Sequence, residues 1–166
     1  MANRAALIIA NYEYRDEGLS ELVAPPQDAE ALTKVLGDPR IGDFQVQTLL
    51  NNSSTEVRRE IERFFAHAER DDLLVLYFTG HGIKDDEGRL FFATPDTERD
   101  LLRSTAVRAT FVNDVMRRSR SRSQVVLLDC CFSGAFARGM VAKAANAVGS
   151  DIGTAERLQG SGRVVI

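Results

Sequence analysis

The sequence predicts an α/β domain built on a mainly parallel central sheet flanked by helices. Three observations carry that expectation. Short apolar runs rich in β-branched residues recur along the chain, with Ile8 and Ile9 in the first and Val125 and Val126 in the fourth. Runs of this length suit strands buried on both faces, the kind that parallel sheets use. Segments with apolar residues at helical spacing separate them, and 166 residues, 44% apolar and 27% charged, fit one globular domain.

The elements follow in order. Residues 4–10 form the first strand. After Pro25-Pro26-Gln27-Asp28, the stripe Ala29, Leu32, Val35 and Leu36 marks a helix ending near Gly37. Residues 44–50 alternate through Phe44, Val46, Thr48 and Leu50, a second strand. Ser53 and Glu56 make a capping box, and Val57, Ile61, Phe64, Phe65 and Ala68 run behind it on a helix to about Glu69. Residues 73–78 are a third, buried strand, closed by Thr79-Gly80-His81-Gly82. Residues 84–88 form a charged turn from which 89–93 pair back as a hairpin arm. Residues 96–109 show no clear period. Phe111, Val112, Val115 and Met116 mark another helix, closing in the basic run 117–122. Residues 125–128 are the fourth buried strand, ended by Asp129-Cys130-Cys131-Phe132-Ser133-Gly134. The stretch 138–162, rich in Ala, Gly and Ser, reads as a flexible linker, and 162–166 begins a fifth strand.

Composition excludes several functions. With 21 basic and 24 acidic residues the net charge is −3, so the positive field of a nucleic-acid binder is missing. No apolar run approaches the roughly 20 residues needed to span a bilayer. The start Met-Ala-Asn-Arg runs into a strand rather than a signal peptide. The two cysteines, Cys130 and Cys131, are adjacent, a geometry that disfavours a disulfide between them and points to a reducing cytoplasm. No phosphate loop, dinucleotide fingerprint or Gly-x-Ser-x-Gly elbow is present, and the Cys and His positions lack zinc-site spacing.

The strand tips hold the reactive residues. If the strands are parallel, the tips of the third and fourth share one edge of the sheet, where ligands of such folds bind. A thiol nucleophile needs a base or cation beside it, and a histidine, whose ordinary pKa is about 6.5, serves at neutral pH. His67 sits between Ala66 and Ala68 in a helix and reads as a partly exposed helix residue. His81 lies between Gly80 and Gly82, either a plain tight turn or a place where a substrate backbone approaches closely. Cys130 shares strand parity with Val126 and Leu128 and reads as packing; Cys131 shares it with Asp129. Parity alone leaves open which face looks into a cleft.

The stretch Leu76-Tyr77-Phe78-Thr79-Gly80-His81-Gly82, taken with Leu127-Leu128-Asp129-Cys130-Cys131-Phe132-Ser133-Gly134, resembles the caspase-like cysteine peptidases. The nearest pattern is that of metacaspases and their bacterial relatives, whose nucleophile motif reads Asp-Ser-Cys-His-Ser-Gly. Asp129, Cys131, Ser133 and Gly134 match it; Cys130 and Phe132 depart from it. Cys131 also lies 50 residues beyond His81, close to the caspase spacing. Pro25-Pro26-Gln27-Asp28-Ala29-Glu30-Ala31-Leu32 and the ending Gly162-Arg163-Val164-Val165-Ile166 are similar to these bacterial domains too, so the likeness covers nearly the whole chain. It is similar in particular to actinobacterial caspase domains that accompany effector-associated adaptor domains in defence or cell-death systems.

The resemblance implies a caspase-like three-layer sandwich and a cysteine endopeptidase. Cys131 would be the nucleophile, His81 the general base and acid, and the backbone N–H groups of Gly82 and Cys131 the oxyanion hole. Asp28 and Asp129 would line the S1 pocket, and two carboxylates there imply cleavage after Arg or Lys rather than Asp. Asp28 has a plainer reading, as an acid in the first helical turn favoured by the helix dipole. Asp85, Asp86 and Glu87 are calcium candidates, because some metacaspases need calcium; a solvated turn is the plainer reading. No other cofactor is implied. Residues 1–166 would be the large-subunit portion of the catalytic domain, lacking the small-subunit portion that completes the cleft. The implied partners are a peptide substrate and a C-terminal small-subunit segment or regulatory adaptor domain. Arg138, Lys143, Arg157 and Arg163 offer self-processing sites. The competing class is a catalytically silent adaptor that uses the fold for assembly.

Overall fold

The computed structural model describes residues 2–131 and the short strand at 163–165. Strand β1 (Arg4–Ala10) leads to helix α1 (Ala24–Gly37), β2 (Gln45–Leu50), α2 (Ser54–Ala66) and β3 (Leu73–Thr79). The hairpin β4 (Gly82–Lys84) and β5 (Leu90–Phe92) follows, then the short helix α3 (Leu102–Thr105) and β6 (Val107–Arg108). Helix α4 (Ala109–Arg118), β7 (Ser123–Asp129) and β8 (Arg163–Val165) close the order. The main sheet runs β2-β1-β3-β7-β8 with every pair parallel, and β4-β5-β6 form a small antiparallel sheet beside it.

Strand periodicity divides the apolar residues between two cores. Leu7 and Ile9 of β1, Leu74, Leu76 and Phe78 of β3 and Val126 of β7 face one side. There they meet Val57, Ile61 and Phe65 of α2 and Val112 and Met116 of α4. Ile8, Ala10 and Tyr77 face the other side and meet Ala29, Leu32 and Leu36 of α1. Both faces of the central strands are therefore covered, and the three-layer arrangement implied by the resemblance is what the chain adopts. Removing one of the fully buried side chains, such as Phe65, would cost about 3–5 kcal/mol.

Local chemistry sets the element ends. The Ser53 hydroxyl accepts from the Glu56 N–H, and the Glu56 carboxylate accepts from the Ser53 N–H, so the capping box starts α2 as anticipated. The prolines fall inside the first turn of α1, where a missing N–H costs nothing, so that helix begins at Ala24, upstream of the stripe. Helix α2 stops at Ala66 rather than near Glu69, with exposed His67 as its C-cap. Asp72 then turns the chain into β3 by accepting from the N–H groups of Glu69 and Asn3. Helix α4 ends at Arg118, before the basic run is complete. Strand β7 starts two residues earlier than its apolar run, because buried Gln124 donates to the carbonyls of Met116 and Ser121. The linker expected at 138–162 lies outside the described residues, as do the self-processing candidates Arg138, Lys143 and Arg157.

Candidate active site

The carboxyl edge of the main sheet brings the reactive residues together. Strands β3 and β7 are parallel neighbours, and their last register pair is Thr79 opposite Asp129. His81 and Cys131 each follow that pair by two residues. A separation of 50 residues along the chain thus closes to adjacent strand tips. The Gly80 N–H reaches the Asp129 carbonyl at 3.4 Å, tying the two tips to each other. Gly80 has φ of +153°, and a Cβ there would lie 3.0 Å from the Asn11 carbonyl and 3.1 Å from the Tyr14 hydroxyl. At Gly82 a Cβ would overlap the Cys131 carbonyl oxygen and come within 3.2 Å of the Cys130 sulfur. The glycines flanking His81 are therefore what lets the two tips and the β1–α1 loop close on one another.

His81 is held at three points. Its backbone N–H donates to the Tyr14 hydroxyl at 3.1 Å, and its carbonyl accepts from the Ala93 N–H at 2.9 Å. Its ring Nε2 lies 2.8 Å from the Ser20 carbonyl oxygen. A carbonyl can only accept, so Nε2 carries the hydrogen and neutral His81 keeps its lone pair on Nδ1. The Tyr14 ring sits 4.9 Å from the imidazole, centroid to centroid. Tyr14 and Ser20 both come from the loop between β1 and α1. Neither carries a sequence signal, Ser20 least of all, because its contribution is a backbone oxygen that any residue supplies.

The two cysteines differ. Cys130 is half-buried against the core shared with α2 and α4, continuing the parity of Val126 and Leu128. Burial, then the negative charges of Cys131 and Asp129, push its thiol up to about 12, so at neutral pH it is protonated. Cys131 is exposed. Both are free thiols.

Asp129 lies beside Tyr77, and Asp28 belongs to α1, the helix that covers the Tyr77 face. The Tyr77 hydroxyl is 3.4 Å from an Asp129 carboxylate oxygen. Burial first, opposed by a hydrogen bond with Thr79 and reinforced by the charges of Asp129 and Asp28, lifts the Tyr77 hydroxyl to about 12. The charges of both carboxylates therefore act on one phenol, although 101 residues separate them along the chain. Asp28 lies past the first turn of α1, which holds no acid, so the helix dipole does not account for it.

The calcium candidates Asp85, Asp86 and Glu87 lie in the turn between β4 and β5. Asp85 accepts from the N–H and side chain of Arg89, and Glu87 pairs with Arg89 and Arg103. Guanidinium groups already occupy these carboxylates, Asp86 stays exposed, and no set of three metal-ligating side chains converges among the described residues. These acids shape the β4–β5 turn. An open groove of about 620 Å³ lies elsewhere, between the start of α2 and the segment 96–105, and no candidate catalytic residue lines it.

A parallel sheet covered on both faces, with a Gly-His-Gly tip beside an Asp-Cys-Cys tip, defines a caspase-fold domain. The chain belongs to the caspase domain family, whose pattern matches residues 3–161. That family is one of cysteine peptidases. The chain is 28% identical over 129 residues to human mucosa-associated lymphoid tissue lymphoma translocation protein 1, covering 78% of this chain and 15% of that protein. A solved structure of protein GSU0716 from Geobacter sulfurreducens superposes with a TM-score of 0.62 at 16% identity, covering 78% of this chain and 50% of the other. The latter likeness speaks for the fold. This chain spans only a small part of the human relative and half of the bacterial one. Among the described residues, no helix is long and apolar enough to cross a membrane.

Proposed function

We propose that the protein is a cysteine endopeptidase in which Cys131 and His81 form the catalytic dyad, cutting after Arg or Lys. The observation that carries this reading is the register of β3 and β7, which sets His81 and Cys131 two residues beyond one strand pair while the Ser20 carbonyl fixes the imidazole tautomer. Exposure favours Cys131 over the half-buried, protonated Cys130 as the nucleophile.

The chemistry proceeds in two steps. Nδ1 of His81 takes the Cys131 thiol proton as the sulfur attacks the scissile carbonyl carbon. The N–H groups of Gly82 and Cys131 receive the developing oxyanion; losing one such donor costs about 100 to 1,000-fold in rate. The imidazolium then passes its proton to the leaving amine, which frees the C-terminal product and leaves a thioester. Water, deprotonated by His81, hydrolyses that thioester and restores the thiol. Because Nε2–H is engaged by Ser20, the imidazolium forms with its second proton already compensated.

Asp28 and Asp129 supply the specificity in this reading. Two carboxylates whose charges act on one buried phenol favour a cationic side chain, and the planar guanidinium suits them best. Self-processing at Arg138, Lys143, Arg157 or Arg163, completion of the cleft by a C-terminal segment or adaptor domain, and a bacterial defence or cell-death role in the cytoplasm are parts of the same proposal. Their support is the sequence resemblance.

The test is hydrolysis of fluorogenic peptides ending in Arg, Lys or Asp by the wild type and by Cys131→Ala, Cys130→Ala and His81→Ala variants. Cleavage after Arg and Lys that survives only Cys130→Ala is expected. Activity that survives Cys131→Ala, or cleavage confined to Asp, contradicts the reading, and no cleavage of any peptide favours a silent assembly module.

A further inference from the structure

We propose that Tyr14 is the positioning residue for the catalytic histidine, its hydroxyl and ring together holding His81 in the orientation that proton transfer needs. The inference rests on the assignment of His81 as the catalytic base.

The Tyr14 hydroxyl is a two-way bridge. It donates to the Asn11 carbonyl at 2.7 Å and accepts from the His81 N–H at 3.1 Å. Asn11 is itself rigidly placed. Its N–H donates to the Thr79 carbonyl at 3.0 Å, and its wholly buried side chain donates to the Ala93 carbonyl at 2.9 Å. Ala93 in turn donates its N–H to the His81 carbonyl. The peptide groups around His81 are therefore fixed through Asn11, Tyr14 and Ala93 to the ends of β1, β3 and β5. Gly80 leaves room for this bridge, since a Cβ there would press on the Tyr14 hydroxyl.

The ring adds a second effect. At 4.9 Å and tilted by 47°, the Tyr14 ring lies within the distance at which an aromatic ring favours a cation. His81 becomes a cation in the middle of each half-reaction, so the ring acts when charge appears on the imidazole. Burial pushes the Tyr14 hydroxyl up to about 12, against the pull of the His81 N–H, so it remains a donor throughout the working pH range. Tyr14 touches neither the scissile bond nor the S1 acids on this account. Its removal should therefore change the chemical step and leave substrate binding alone.

Two substitutions separate the effects. Tyr14→Phe keeps the ring and removes the bridge; Tyr14→Leu removes both. With an Arg-terminated fluorogenic peptide, kcat is expected to fall about tenfold in Tyr14→Phe and towards 100-fold in Tyr14→Leu, with KM within about twofold of wild type. Hydrogen exchange at the His81 amide supplies a readout that needs no activity: it should be faster in Tyr14→Phe, which has lost the acceptor. Unchanged kcat, a loss carried by KM, or an unchanged His81 amide would overturn the role given to Tyr14. Cleavage that persists in His81→Ala or Cys131→Ala, or a wild type that cuts nothing, would sink the dyad instead, and the amide measurement would still decide whether the clamp exists.

Discussion

The strand tips that carry His81 and Cys131 meet because the backbone between them has room to close. Gly82 is the clearest case, because its missing side chain is what the Cys131 carbonyl occupies. In a Gly82→Ala variant the added Cβ would overlap the Cys131 carbonyl oxygen and force the two strand tips apart by roughly 1 Å. Misplacements of that size cost about 100-fold in rate, so kcat/KM on a basic peptide should drop at least that far in a steady-state assay, and wild-type activity would contradict the geometry. The histidine and the cysteine pair were legible in the sequence by residue type, and Cys130 by parity as a packing residue. What the sequence hid were contributions without a residue signature. The Ser20 carbonyl is backbone, and Tyr14 sits in a loop whose path no periodicity reports.

At the level of elements, length decided what could be foreseen. Helix α2 has 13 residues and a full capping box, and strands β1 and β3 have seven residues each, enough for a pattern to repeat. Helix α3 has four residues and β6 two, below any repeat, which is why 96–109 was unreadable. Element junctions depend on single polar contacts that pattern reading passes over. Asp72 is one: the N–H groups of Glu69 and Asn3, both donating to its carboxylate, hold its pKa below the usual carboxylate range. A carboxyl whose folded pKa is depressed contributes stability above its unfolded value of about 3.9, and that contribution drains away as pH falls through the folded value. Asp72→Asn should therefore lower Tm at pH 7 and flatten the decline of Tm below about pH 4, as followed by circular dichroism. An Asp72→Asn curve parallel to wild type at acid pH would contradict this.

The whole molecule concentrates its unusual chemistry on one edge of one sheet. Several of its acids are spent on structure: Asp96 binds the start of α2, Asp38 pairs with Arg40, and Asp85 shapes a hairpin turn. Asp28 and Asp129 differ in that the charges of both act on one buried phenol at the reactive edge. The fold class was legible because parallel strands must be apolar on both faces, and that constraint writes itself into composition. Which layer covers each face was not legible, since parity relates residues within a strand and says nothing of their cover; α1 lies over Ile8, Ala10 and Tyr77. The most direct measurement is peptide mapping by mass spectrometry after treatment with a basic peptidyl chloromethyl ketone, on the wild type and on His81→Ala. The account predicts a single adduct on Cys131, nearly absent from His81→Ala. An adduct on Cys130, or labelling of Cys131 that is indifferent to His81, would contradict it.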